Sequence, residues 1–196
     1  MMNLKQITFA IISFTLATNC VLAANCGDPS PGKVADNLYG EIHIRPLTKT
    51  EHRDLSALLK GLTGRKKGKA SEFICVGKDG LGKESSEAKL EVEVDFSSAG
   101  VFALNSELSY DKKNRTESLV LIVRPDRVRM ERDSQYGDIE LVSVARDKFT
   151  FIRKIYTGVG TGRRSVQEQL ITIEPKAIEF VVFHQGILSS VSRWTF

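Results

Sequence analysis

The sequence predicts a mainly β protein: an antiparallel up-and-down meander that closes into a barrel of about 8–10 strands, with one N-terminal amphipathic helix packed against it. Two observations predict this class. From residue 71 onward, apolar and polar side chains alternate along consecutive short runs, and turn-like sequences such as DKKNR and SSAG separate the runs. No helical pattern interrupts them. Because an open meander of this length would accumulate twist and expose two edges, we expect it to close on itself.

One helix is predicted over residues 50–60, within an N-terminal segment that covers 25–70. Thr48 and Glu51 have the spacing of a capping box. Four leucines fall on one face of the helix: Leu55, Leu58, Leu59 and Leu62. Two later runs, Leu119–Val123 and Val142–Val144, are apolar on both faces. We therefore expect the leucine face of the helix to cover the outer side of the sheet at these runs.

A basic run, GRKKGK, occupies residues 64–69 between the predicted helix and the predicted barrel domain at 71–196. Its four cations could form a patch for an anionic partner. Because a single short basic run without interleaved aromatic residues is common on protein surfaces, we interpret it as a solvated loop.

The first 24 residues have the pattern of a cleavable signal peptide. Lys5 precedes an apolar run over residues 7–17, and small residues at Ala23 and Ala24 follow. The pattern predicts export to the periplasm or the extracellular space. An uncleaved membrane anchor fits less well, since the apolar run is shorter than a bilayer-spanning helix requires. Lipidation of Cys26 remains an alternative, although Asn25 is not the small residue that usually precedes a lipidated cysteine.

Two of the three cysteines, Cys26 and Cys75, follow the predicted signal peptide. In an oxidising compartment, two such cysteines are best interpreted as one disulfide. Neither has a neighbouring histidine or cysteine at the spacing of metal ligands, so no metal site is predicted.

The chain contains no motif for a known catalytic centre. None of its three histidines has a partner at the spacing of a metal site or a nucleophile–base pair, and no phosphate-binding loop lies between a strand and a helix. The net charge of +4 is too mild to specify nucleic acid. These observations predict a protein that is not an enzyme, carries no cofactor and does not bind nucleic acid.

The candidate binding residues are Arg132, Arg153 and His184. Each is a polar residue on an otherwise apolar strand face. A guanidinium inside a barrel needs a partner, and a ligand carboxylate is one. The pattern predicts a site for a lipid-like, amphipathic or anionic small molecule. Alternatively, these side chains lie at the rim, or they pair with internal acids such as Glu140 or Glu168.

Other functions stay open at this stage. A partner protein could replace the small ligand, as in a secreted enzyme inhibitor, and an enzyme without a recognisable motif is a further alternative. The terminal sequence Trp194-Thr195-Phe196 is similar to the closing strand of outer-membrane barrels. Membrane association is therefore expected only for a lipoprotein or an outer-membrane barrel.

Overall fold

The computed structural model describes residues 24–132, 134–158 and 164–196. The predicted signal peptide, except for Ala24, lies outside them. Ten antiparallel strands in the described part of the chain form a closed barrel in which each strand pairs with its neighbours in sequence and the last pairs with the first. The elements are α1 (Pro31–Val34), α2 (Lys49–Gly61), β1 (Gly64–Val76), β2 (Gly82–Phe96), β3 (Val101–Ser109), β4 (Asn114–Val123), β5 (Val128–Arg132), β6 (Gln135–Ala145), β7 (Lys148–Thr157), β8 (Ser165–Glu174), β9 (Ala177–His184) and β10 (Ile187–Thr195). The predicted fold class is confirmed.

The strand alternation determines which side chains enter the barrel. In β2, Leu90, Val92 and Val94 are buried, and the intervening residues are exposed. The same alternation continues around the wall, so that every second side chain of a strand points into a common core. Five of the largest side chains in that core are fully buried: Phe102, Phe149, Phe151, Phe180 and Trp194.

Helix α2 confirms the predicted helix and its capping box. The Thr48 hydroxyl accepts a hydrogen bond from the Glu51 N–H, and the Glu51 carboxylate accepts one from the Thr48 N–H. Leu55, Leu59 and Leu62 belong to the same core cluster as the barrel interior. Because α2 leads directly into β1, it closes the end of the barrel at which the odd-numbered strands begin; we call this end the helix mouth.

The expectation that α2 covers the outer side of the sheet is wrong. Its leucines are buried in the barrel core, and Val142 and Val144 remain 46% and 42% exposed. The hydrophobic stripe of a helix can be buried equally well against a sheet face or over a barrel opening, and the sequence pattern does not distinguish the two.

The interpretation of residues 64–69 as a loop is also wrong. These residues form the first half of β1, and the barrel wall begins at Gly64 instead of residue 71. Gly64 lies opposite Val94, and the pairing with β2 then continues without interruption to Val76 opposite Gly82. Cross-strand pairing thus overrides the low strand propensity of a run rich in glycine and lysine.

The segment before α2 forms a strap (residues 24–47) along the outer wall. The predicted disulfide joins Cys26 to Cys75 in β1. Farther along the strap, the Lys154 ammonium donates hydrogen bonds to the carbonyl oxygens of Asn37, Leu38 and Gly40. At the end of the strap, the Leu47 N–H donates to the Pro125 carbonyl, 2.9 Å away. The strap is therefore tied to the barrel near both of its ends and in its middle.

Candidate functional site

The two halves of the barrel interior differ in polarity. The half nearest the helix mouth contains aromatic and aliphatic side chains together with the α2 leucines. At the other end, where the even-numbered strands begin, charged side chains point inward. We call this end the charged mouth, and its five inward charged residues the charged cluster: Glu72, Arg115, Glu117, Arg132 and Arg153.

Glu117 of β4 is the centre of the charged cluster. Its carboxylate lies 2.6 Å from the Arg115 guanidinium and 2.8 Å from that of Arg132. The residue is mostly buried, since it shares the inward face of β4 with Leu119 and Leu121. A carboxylate between two guanidiniums lowers the cost of burying all three charges.

Glu72 of β1 extends the cluster across the barrel. Its carboxylate accepts hydrogen bonds from Arg115, from the Tyr110 hydroxyl and from the Ser192 hydroxyl, at 2.5, 2.5 and 3.0 Å. Strands β1, β4 and β10 therefore meet at one carboxylate. These contacts form only when the barrel is closed, because Glu72 and Arg115 lie on strands that are not neighbours in the wall.

Burial and the local charges change the acid–base behaviour of this region. Burial raises the pKa of the Tyr110 hydroxyl, and the hydrogen bond to Glu72 raises it further. Burial opposes the charge of Arg115, but the carboxylates of Glu117 and Glu72 outweigh it and raise the pKa of the guanidinium. Both groups therefore stay protonated, and both remain hydrogen-bond donors at neutral pH.

The predicted candidates Arg132 and Arg153 both point into the barrel. Arg132 binds Glu117, and its guanidinium lies 3.6 Å from the centre of the Phe180 ring. Arg153 is buried and donates hydrogen bonds to the Gln169 side chain and to the Gln135 carbonyl, at 2.7 and 3.1 Å. Both therefore have partners within the protein.

His184, the third candidate, lies elsewhere. It is the last residue of β9 and is exposed at the rim of the charged mouth. The internal acids considered from the sequence also face away from the interior. Glu140 accepts a hydrogen bond from the His43 N–H of the strap, and Glu168 is buried beneath the strap beside Ser30 and Lys154.

Sequence reasoning missed Glu72, Arg115, Glu117 and Tyr110. A signal for two of them was present, since Arg115 and Glu117 alternate in phase with Leu119, Leu121 and Val123 on one face of β4. Charged residues that continue the alternation of an apolar strand face indicate that the barrel interior changes from apolar to polar along that strand. Glu72 could not be found in this way, because its partner lies 43 residues away along the chain.

A concave surface lies on the outside of the wall, across β1 to β4. It encloses about 700 Å³, and its outward side chains include Arg65, Lys67, Glu91, Glu93, Asn105 and Thr116. Two ion pairs cross it: Arg65 with Glu93 at 3.2 Å, and Lys67 with Glu91 at 2.8 Å. The lining of this outer groove also includes Val92 and Glu117, so the groove reaches the β4 residue on which the charged cluster is centred.

Fold and site together define the class of protein: a ten-stranded antiparallel barrel with one apolar end closed by a helix and one charged end. No protein-family model and no curated protein sequence matches the chain. The described residues hold no group of three or more histidine, cysteine or acidic side chains arranged for a metal ion. The helices described, α1 and α2, are too short or too polar to cross a bilayer.

Proposed function

We propose that the protein is an exported, non-enzymatic barrel that binds a small molecule bearing a carboxylate or phosphate group at the charged mouth. The observation that carries this proposal is the arrangement of Arg115, Arg132 and Arg153. They come from three different strands, and all three project into the interior at the same end. Even when they are paired, buried charges stabilise a fold little compared with well-packed apolar side chains, which supports a functional reason for their presence.

Arg115 is the residue best placed to meet a ligand. Its side chain is 41% exposed, whereas Glu117, Arg132 and Glu72 are mostly buried. Its guanidinium can leave the Glu72 carboxylate and bind the carboxylate of a ligand instead. Glu72 would keep its hydrogen bonds from Tyr110 and Ser192 when Arg115 turns toward the ligand. A planar guanidinium binds carboxylate and phosphate groups through two parallel hydrogen bonds, which favours such anions over neutral molecules.

The packing of the barrel favours a small polar acid over a long-chain lipid. Beyond the charged cluster, the interior contains the fully buried Phe102, Phe151, Phe180 and Trp194. A long acyl chain would have to displace these side chains, at the cost of the packing that stabilises the barrel. A ligand of a few non-hydrogen atoms needs only the polar end.

Two observations bear on location. The Cys26–Cys75 disulfide is consistent with an oxidising compartment, as the predicted signal peptide requires. The outer face of β1 and β2 carries Arg65, Lys67, Glu91 and Glu93. Because a lipid-facing surface must be apolar, these charges disfavour the outer-membrane alternative and support a barrel surrounded by water.

Calorimetric titration with inorganic phosphate and with citrate tests the proposal. We expect saturable binding by the wild-type protein and at least about tenfold weaker binding by Arg115→Gln, which loses the charge but retains hydrogen-bonding groups. Arg65→Gln is the matched control, since it removes an arginine from the outer face, and its binding should be unchanged. The absence of saturable binding by the wild type, or equal affinity in both variants, would overturn the proposal. If phosphate or citrate binds as expected, native mass spectrometry of gently purified protein would identify the natural ligand.

A further inference from the structure

Arg153, Gln169 and Gln167 form a chain of hydrogen bonds along the inner wall of the barrel. The Arg153 guanidinium donates to the Gln169 Oε1 atom at 2.7 Å, and the Gln169 Nε2 atom donates to the Gln167 Oε1 atom at 3.0 Å. Arg153 of β7 lies directly opposite Gln169 of β8, and Gln167 lies nearer the beginning of β8. Because the even-numbered strands begin at the charged mouth, the chain leads from the buried guanidinium outward to this opening.

The guanidinium fixes the direction of each hydrogen bond in this chain. An arginine side chain has donors and no acceptor, so the side-chain oxygen of Gln169 must face it. The amide nitrogen of Gln169 is then directed toward Gln167, which accepts through its own side-chain oxygen. The amide nitrogen of Gln167 ends the chain, and it donates to no other residue within the part of the protein that the structure describes. Gln167 therefore presents N–H donors at the charged mouth, and the positive charge at the other end of the chain strengthens them.

His184 places a second polar side chain beside Gln167. The two residues lie directly opposite each other in the pairing of β8 with β9. His184 is in phase with Phe180, which belongs to the barrel core, so its side chain is on the inner face of the wall at the rim. Its imidazole makes no hydrogen bond to any of the described residues. Because the Cβ atoms of such a pair are about 4.5–5.5 Å apart, one acceptor group can contact both side chains.

Gln167 and His184 face Arg115 across the opening of the barrel. Four strands separate β9 from β4 in either direction around the closed wall, so the two strands are diametrically opposed. An eight-stranded barrel is just wide enough for one small ligand, and ten strands enclose a wider interior. A molecule with an acceptor group at each end can therefore contact both walls at once.

We infer that the ligand is a short dicarboxylate, with one carboxylate bound by Arg115 and the other by Gln167 and His184. This inference rests on the proposed function, because it takes the binding of an anion by Arg115 as its starting point. A ligand whose second end is apolar would leave the donors of Gln167 without a partner, which disfavours its binding. Gln169 does not contact the ligand. It is a positioning residue that keeps the N–H groups of Gln167 directed at the mouth.

Succinate and butyrate are the probes, since butyrate has a methyl group in place of the second carboxylate. In calorimetric titrations of the disulfide-bonded protein, we expect succinate to bind at least about tenfold more tightly than butyrate. Gln167→Met removes the donors with little change in size. It should weaken succinate binding at least about tenfold and leave the binding of inorganic phosphate, which needs only Arg115, unchanged.

Gln185→Met is the matched control, because it removes an amide from the same mouth. The Gln185 side chain bonds to the Tyr39 hydroxyl and to the Arg164 carbonyl, at 2.9 and 3.2 Å, and we assign it no contact with the ligand. Its affinity for succinate should equal that of the wild type. Urea unfolding followed by the fluorescence of Trp194 verifies that each variant is folded.

Gln169→Glu separates the positioning role from a merely structural one. A glutamate at this position still accepts the hydrogen bond from Arg153, but it has no N–H to donate to Gln167. Gln167 then turns its amide over to donate to the new carboxylate, and its oxygen faces the mouth. We expect succinate binding to weaken at least about tenfold while phosphate binding stays unchanged.

The outcomes distinguish this inference from the proposed function. Saturable phosphate binding without succinate binding, or with equal affinities for succinate and butyrate, would refute the dicarboxylate and leave the proposed function intact. Wild-type succinate affinity in Gln167→Met, or an equal loss of phosphate affinity in that variant, would do the same. Unchanged succinate affinity in Gln169→Glu would refute the positioning role. If the wild type binds neither phosphate nor succinate, the proposed function and this inference fail together.

Discussion

Replacing Glu117 with glutamine tests whether the charged cluster holds the barrel together at its polar end. The substitution preserves the size and shape of the side chain. It removes the carboxylate that lies between Arg115 and Arg132, at 2.6 and 2.8 Å from their guanidinium groups. The amide of glutamine can accept only one of the two hydrogen bonds well, and it carries no charge to balance the guanidiniums.

The expected cost follows from the exposure of the two arginines. A hydrogen bond to a charged group contributes about 1.5–3 kcal/mol to stability. Arg115 is partly exposed and still binds Glu72, so water and that carboxylate can replace most of the hydrogen-bond energy that Arg115 loses. Arg132 is mostly buried and loses a charge partner. We therefore expect a decrease of about 2–4 kcal/mol in the free energy of unfolding, below the total stability of a typical domain.

Urea unfolding followed by tryptophan fluorescence measures this change, because Trp194 is the only tryptophan in the sequence and is fully buried in the core. Glu107→Gln, on the outer face of β3, is the control and should alter stability by less than about 0.5 kcal/mol. A double variant, Glu117→Leu/Arg132→Met, should be less damaging than Glu117→Gln alone, since it removes both charges together. Wild-type stability of Glu117→Gln would refute this account of the cluster.

Three further predictions concern the strap and α2. Lys154→Met removes an ammonium that binds three strap carbonyls; we expect a loss of about 2–4 kcal/mol and faster hydrogen exchange over the strap, whereas unchanged exchange would contradict the assignment. The double variant Cys26→Ser/Cys75→Ser opens a loop of 49 residues, and in the chain-entropy model it should cost about 4 kcal/mol, measured as a lower urea midpoint; an unchanged midpoint would show that the strap adds nothing to stability through this bond. The Arg45 guanidinium and the Thr48 N–H lower the pKa of Glu51 from 4.5 to about 2, so its stabilising contribution is present above about pH 4.5 and disappears as the pH falls through about 2. Glu51→Gln should therefore show a weaker dependence of stability on pH over that range in acid titrations followed by circular dichroism, and an identical dependence would exclude this role.

The elements that local sequence specifies were predicted well. Alternation such as Leu90, Val92 and Val94 places three side chains on one face of a strand regardless of what lies beyond it. The capping box at Thr48 and Glu51 is likewise complete within four residues, and it begins α2 where the sequence indicates. The pairing of Cys26 with Cys75 was also accessible, since the predicted signal peptide contains the only other cysteine.

The errors arose where two distant segments determine the outcome. The basic residues 64–69 have low strand propensity, but β2 provides a partner for each of them, and the strand extends accordingly. The position of α2 depended on which apolar surface remained uncovered after closure, and that surface was the helix mouth. Arg132 was identified as an inward cation, but its partner Glu117 could be recognised only once β4 and β5 were in register.

By itself, the sequence determined helix α2, the meander and the division of strands such as β2 into a wet and a dry face, because these depend on neighbouring residues and on tight turns. The tertiary structure alone decided which charges meet inside the charged mouth and that β1 begins at Gly64. Both depend on the register at which the strands pair, and that register is set by the packing of the whole wall.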